Sequence, residues 1–367
     1  MKQGWEIKKL GETVDVLDNL RKPITKRDRI EGEYPYYGAT GILSYVHNYI
    51  FSEKLVLIGE DGAKWLSGDN TSFIADGKYW VNNHAHVIRP KRKIILDEWI
   101  VYFLNFSDLT PFITGMTVPK LNQEKMRSIP IPLPPLPTQQ RIVAILDEAF
   151  AAIAKAKANA QQNLQNAKEL FESYLQGVFE NKGEGWEENT LGEMIEIKNG
   201  KNQQAVLSAT GQYKVMGSAG NVMGYAVDFI CEAGTTIIGR KGNISKPIYI
   251  EERFWNVDTA FGLFPKNEND IDKRFVYYLC LGIDFKSMNR GTTIPSLVKS
   301  ELQTIQIAFP KSLKTQQAIV QKLDALNAET KKLESIYQQK IKDLEELKKS
   351  VLQKAFSGEL KMEKELV

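Results

Sequence analysis

Apolar and polar positions follow two rhythms along this chain. Short apolar runs, among them LVLIG (55–59), AHVIRP (85–90), TTIIG (235–239) and PIYIE (247–251), end at turn signals such as DG, SGDN and KGN. That pattern predicts strands. Elsewhere apolar residues recur every three or four positions, predicting two long helices, roughly Gln139 to Glu180 and Gln316 to Ser357. With about 42 residues each at about 1.5 Å per residue, they extend about 63 Å, too far to be buried in one small domain. The second carries Ile319, Leu323, Leu326, Leu333, Tyr337, Leu344, Leu347 and Val351, with polar Thr330 and Lys340 in register. This is a heptad seam. The first carries Leu146, Ala149, Ile153, Ala156, Ala160, Asn163, Ala167, Leu170 and Tyr174, whose small middle lets a leucine face approach closely. We therefore pair the helices with each other, antiparallel, against the alternative that each packs on its own globular unit.

The approach to the first helix, PIPLPPLPTQQ, holds Pro130, Pro132, Pro134, Pro135 and Pro137. Proline donates no backbone hydrogen bond and biases its predecessor toward extended geometry, so this stretch predicts a stiff polyproline-like lead with Thr138 capping the helix. The second approach, IAFPKSLKTQQ, keeps only Pro310.

The chain contains itself twice. WEIKKLGETVDV (5–16) returns as WEENTLGEMIEI (186–197), YPYYGATG (34–41) as YKVMGSAG (213–220), and LIGEDG (57–62) as IIGRKG (237–242). IVYFL (100–104) then returns as FVYYL (275–279), GMTVPKL (115–121) as GTTIPSL (291–297), and TQQRIVAILDEA (138–149) as TQQAIVQKLDAL (315–326). All six keep their order, displaced by about 180 residues, so each repeat is one structural unit followed by a long helix. The expected fold class is α+β: two mixed α/β domains joined by two long helices in an antiparallel coiled coil, with an internal pseudo-two-fold repeat. The expected boundaries are 1–137, 138–182 for the first helix, 183–313, 314–358 for the second helix, and a C-terminal tail at 359–367.

Composition narrows the function. With 48 Lys+Arg against 45 Asp+Glu the net charge is only +3, so a nucleic-acid surface has to come from local clustering. The two cysteines, Cys231 and Cys280, form no C-x-x-C pair, which argues against a disulfide framework or zinc knuckle. No signal-peptide core or membrane span is visible, and a cytoplasmic protein is expected. The chain lacks the N/D-P-P-F/Y and F-x-G-x-G motifs of adenine methyltransferases and the G-x-x-x-x-G-K-[ST] phosphate loop, so no catalytic residue and no cofactor site are assigned. His84 and His86 in NNHAH (82–86) are spaced by two with no Cys or third His nearby, and no metal site is assigned either.

DNA-contact candidates come from basic and amide residues interleaved with aromatics. RKPITKRDR (21–29) offers Arg21, Lys22, Lys26, Arg27 and Arg29, since arginine matches guanine O6 and N7 with two hydrogen bonds. Its counterpart KNGKNQQ (198–204) offers Lys198, Lys201, Asn202, Gln203 and Gln204, whose amides suit adenine. Asn82, Asn83 and His84 form a loop able to meet base edges. Lys64, Arg240, Lys241 and Lys246 flank the repeated glycine turns, and Tyr36, Tyr37 and Tyr213 are aromatic candidates. Thr117, Lys120, Arg290, Thr292 and Thr293, just before the helices, carry groups that hold phosphates.

A globular unit, a proline-marked lead, a TQQ-started helix and then the same again resembles the specificity subunit of type I restriction-modification enzymes. The resemblance covers nearly the whole chain, through IPLPPLPTQQRIVAIL (131–146) with its echo at Thr315 to Leu323, the two WE-x-x-x-LGE starts, and the paired GMTVPKL and GTTIPSL. It implies a non-catalytic subunit with two target-recognition domains, each reading half of a bipartite double-stranded DNA site. It further implies two methyltransferase subunits docked on the helices and binding S-adenosylmethionine, with a restriction and motor subunit joining through the complex. The residues alone leave two alternatives open: a coiled-coil protein-interaction scaffold, and a self-contained DNA modification enzyme.

Overall fold

The strands follow the apolar runs of the sequence. The computed structural model describes residues 4–360, so the expected tail at 359–367 lies outside the described residues apart from its first two positions. The chain divides into two units, one formed by the residues up to Gln161 together with those from Gln339, the other by Gln162–Gln338. In the first, β1 (Glu6–Lys9), α1 (Leu10–Thr13) and β2 (Val14–Val16) precede β3 (Tyr34–Gly38), β4 (Gly41–Val46), β5 (Leu55–Gly59), β6 (Ser72–Ala75), β7 (Trp80–Val81) and β8 (Ala85–Pro90). Then come α2 (Asp97–Phe106), α3 (Gln123–Ser128), β9 (Pro130–Leu133) and the start of α4 (Leu136–Glu180).

Three sheets result, in the orders β2-β8-β5-β6, β4-β3-β7 and β1-β9. β5 reads LVLIG because it is interior: all five residues are buried, as expected of a strand covered on both faces. One face of that layer meets α2 through Val56, Ile58, Trp99, Ile100 and Leu104. Leu57, Tyr79, Val81 and Val87 form a second core.

The second unit repeats this plan. It contains β10 (Trp186–Thr190), α5 (Leu191–Met194), β11 (Ile195–Asn199), β12 (Tyr213–Met216), β13 (Val222–Ala226), β14 (Thr235–Gly239), β15 (Ile248–Ile250), β16 (Phe254–Asn256) and β17 (Ala260–Pro265). α6 (Lys273–Leu281), α7 (Lys299–Gln303), β18 (Gln306–Pro310) and the start of α8 (Leu313–Ser357) follow. Its sheets run β11-β17-β14-β15, β13-β12-β16 and β10-β18. Even an irregularity is duplicated: the β3–β4 ladder slips between Tyr36 and Tyr37, and the β12–β13 ladder slips between Val215 and Met216.

The proline lead differs from expectation. Pro130–Leu133 is a strand paired antiparallel with β1, not a polyproline spacer. A two-stranded sheet has only edge strands, where proline is tolerated, and Ile131 and Leu133 alternate with the prolines to point into the core. Thr138 is not the cap. The helix starts at Leu136 with Pro137 in its first turn, and the Pro135 carbonyl accepts the amides of Thr138 at 2.8 Å and Gln139 at 3.1 Å. At α8 the side chain of Ser312 accepts the amide of Thr315 at 3.4 Å.

The long helices run antiparallel. Within the first unit the beginning of α4 lies beside the end of α8, with Lys157 Nζ 2.7 Å from Glu345 Oε1 and Lys348 over the Phe150 ring. Within the second, the end of α4 lies beside the beginning of α8, where Leu175 and Leu323 enclose Tyr278. The stripe on α4 keeps Ala160 and Ala167 inward as expected but departs from the heptads around and beyond them: Phe171 and Leu175 turn inward, while Asn163, Leu170 and Tyr174 stay exposed. A straight helix drifts about 20° per heptad, and the aromatic core around Tyr278 takes Phe171 and Leu175. On α8 Thr330 is buried in the seam, whereas Leu333 and Leu347 are exposed. Each helix therefore packs both on its partner and on globular structure.

Candidate nucleic-acid interface

In each unit four segments meet at one end of the sheets, on the same backbone frame. In the first, Leu121 N donates to Glu60 O (2.8 Å), Glu60 N to His84 O (2.9 Å), and Lys22 N to Val81 O (3.3 Å). In the second, Leu297 N donates to Arg240 O (2.9 Å), Arg240 N to Thr259 O (2.8 Å), and Lys201 N to Asn256 O (2.9 Å). Bridges Asp61–Lys120 and Lys241–Ser296 add the same closure. Trp80 and Trp255 complete it, their indole N–H groups donating to the carbonyls of Lys22 (2.6 Å) and Lys201 (3.0 Å). Gly62 and Gly242 hold the shared turn at φ of 69° and 83°, where a side chain is strained.

The frame is common but its side chains are not. At the first end Arg21 Nη1 lies 2.5 Å from Glu60 Oε2 and 2.8 Å from the carbonyl of Ala85, and Nη2 lies 3.4 Å from Asp18 Oδ2. Lys120 Nζ lies 2.8 Å from Glu60 Oε1. His86 Nδ1 contacts Asp18 at 2.6 Å while Nε2 contacts the carbonyl of Leu121 at 2.7 Å. Burial pushes the Glu60 carboxyl up, yet hydrogen bonds from Lys120 and Arg21 hold it below its usual range. Asp18 is likewise raised by burial and brought below its usual value by His86, Gln123 and the Val87 amide. Asp18, Glu60 and His86 are grouped as metal ligands would be, but both ring nitrogens and both carboxylates already face protein partners.

At the second end Arg240 stands where the repeated motif has Glu60, and Phe261 opposes Asn199 across the ladder as His86 meets Asp18. Arg240, Lys241, Lys198, Lys201 and Lys246 are exposed. So are Asn202 and Gln204, whereas Gln203 is half-buried; the Asn202 side chain accepts the amide of Gln204 at 2.9 Å.

The remaining candidates separate by environment. Lys22, Lys64 and Asn83 are exposed at the first end; Asn82 is buried, its side chain accepting the amide of His84, which in turn pairs with Asp61. Lys26, Arg27 and Arg29 lie on a stretch running beside β4, with Arg29 over the Tyr36 ring and 3.5 Å from Ser44 Oγ. Tyr36 is buried and bonded to the backbone of Ile24, Tyr37 packs on Phe73 and Tyr79, and Tyr213 packs on Phe229. Thr117, Thr292 and Thr293 are exposed on the two loops before the helices, and Arg290 pairs with Glu301. Sequence reasoning passed over Trp80, Trp255 and Glu60. The recurrence of YW (79–80) as FW (254–255), and the exchange of Glu60 for Arg240 within the repeated glycine motif, were the available signals.

Two similar α/β units, each packed on antiparallel stretches of the long helices, define a duplicated recognition protein. Residues 2–164 and 183–343 both match the type I restriction modification DNA specificity domain, and the chain belongs to that family. It is a DNA-recognition subunit and not itself the catalyst. Among its relatives, the type I restriction enzyme MjaVIII specificity subunit of Methanocaldococcus jannaschii is 23% identical over 98% of this chain and 94% of its own length. A specificity subunit of Haemophilus influenzae is 39% identical over 41% of this chain and 39% of its own. Among solved structures, a chain from a study of type I system assembly and conformational transition matches 98% of this chain and 99% of its own length, with TM-score 0.76 and 18% identity. The HsdS subunit of Thermoanaerobacter tengcongensis matches 98% of each chain with TM-score 0.61 and 18% identity. These likenesses establish the fold.

Proposed function

We propose that the two ends read the two halves of a bipartite DNA site, and that the helix pair docks two methyltransferase subunits through which restriction subunits join. One observation carries this reading: the same backbone frame is built twice and presents different side chains, as two readers of different sequences require. Lys22, Lys64, Asn83 and Thr117 serve the first half-site. Lys198, Lys201, Asn202, Gln204, Arg240, Lys241, Lys246, Thr292 and Thr293 serve the second. Arginines and amides there address base edges while lysines hold phosphates. Residues 1–137 and 183–313 are the recognition domains, 138–182 and 314–358 the spacer helices. S-adenosylmethionine belongs to the methyltransferase partners, and the complex works in the cytoplasm. No helix among the described residues is long and apolar enough to cross a membrane. The test is methylome sequencing of the source strain with and without this gene. One two-part modified sequence should vanish on deletion; an unchanged methylome counts against the reading.

A further inference from the structure

Both TQQ motifs place a glutamine where a long helix meets its globular unit, and both glutamines are 0% exposed. The next residue, Gln140 or Gln317, is exposed, so helix formation alone does not call for a buried amide here. A primary amide is costly to bury unless its donor and acceptor are both bonded. Gln139 Nε2 donates to the carbonyls of Ile94 and Pro134, each at 2.8 Å, and its Oε1 accepts the amide of Leu96 at 3.1 Å. Gln316 Nε2 donates to the carbonyls of Asp270 at 2.9 Å and Pro310 at 2.8 Å, and its Oε1 accepts the amide of Asp272 at 2.8 Å.

The partners are equivalent in the two units. Leu96 and Asp272 stand at the N-cap positions of α2 and α6, and Pro134 directly follows, as Pro310 ends, the strand leading into each long helix. Each glutamine thus ties three elements together by backbone groups alone, which is why the joint is kept while the side chains around it differ. A planar amide with three simultaneous bonds constrains direction as well as distance, which an apolar side chain of the same volume does not.

We infer that Gln139 and Gln316 are positioning residues for target recognition: each locks the reading end of its unit at one angle to its own long helix, narrowing the accepted gap between half-sites. The inference rests on the bipartite reading proposed above. It is tested on the complex assembled with its methyltransferase subunits, selecting from a DNA library that presents the half-sites at every gap length. Gln139→Met and Gln316→Met keep the volume and lose the directed bonds.

Each variant should retain both half-site sequences, spread its selection over neighbouring gaps, and bind the original gap about tenfold more weakly. A variant that melts cooperatively and keeps the single original gap overturns the inference. Gln139→Asn and Gln316→Asn keep the amide on a shorter stem and give a second folded series. If none of the four folds, the glutamines only hold the units together and the inference fails. A wild-type complex that selects no two-part site fails differently, removing the functional reading itself.

Discussion

Among the basic residues that the sequence offers to DNA, Arg21 turns its guanidinium inward, onto Glu60, Asp18 and the Ala85 carbonyl. Its side chain is 13% exposed and that of Glu60 10%, so removing the cation takes away a counter-charge that both buried carboxylates share, leaving Glu60 with Lys120 and Asp18 with His86. Arg21→Gln should cost about 3 kcal/mol of stability at neutral pH, measured by urea unfolding. Asp18 and Glu60 both titrate below their ordinary values in the folded chain, so their contribution is present above the unfolded carboxyl range and is lost as pH falls below about 4. The penalty of Arg21→Gln should shrink over that window, because protonated carboxyls no longer need the guanidinium. A penalty that is constant from neutral pH to pH 3 would remove Arg21 from this role. The sequence displayed a basic stretch at 21–29 and nothing to show which member was internal, since Asp18, Glu60 and His86 come from three separate segments.

At the scale of elements, the long helices are parts of the cores as well as connectors. Phe356, near the end of α8, packs on Trp99, Phe103 and Phe106 of α2 with ring centroids 4.9 to 5.6 Å away, while Leu352 and Ala355 belong to the same core. Phe356→Ala should therefore destabilise the first unit by about 3 kcal/mol although it lies at the far end of the chain. Hydrogen exchange should place that loss in α2 and β5 rather than in α6 and β14. Equal loosening of both units would contradict the packing. Heptad spacing made both helices legible, but it assigned Leu170 and Tyr174 to the seam, because periodicity alone does not register where a globular core captures Phe171 and Leu175.

For the whole molecule, the duplicated frame predicts modular recognition. Replacing residues 1–137 with the matching unit of another family member should change one half of the methylated sequence and preserve the other, as read by methylome sequencing. A change in both halves would show that the units do not read separately. The sequence by itself determined the duplication, the two helices, most strands and the family, because these rest on local periodicity and on motifs repeated in order along one chain. Tertiary structure alone decided that PIPL is a strand, that Gln139 and Gln316 are buried clamps, and that Arg21 and Lys120 answer Glu60 while Arg240 and Lys241 face solvent. Those outcomes depend on which distant segments meet and on whether a charge finds its counter-charge inside the fold, and spacing along the chain does not carry that information.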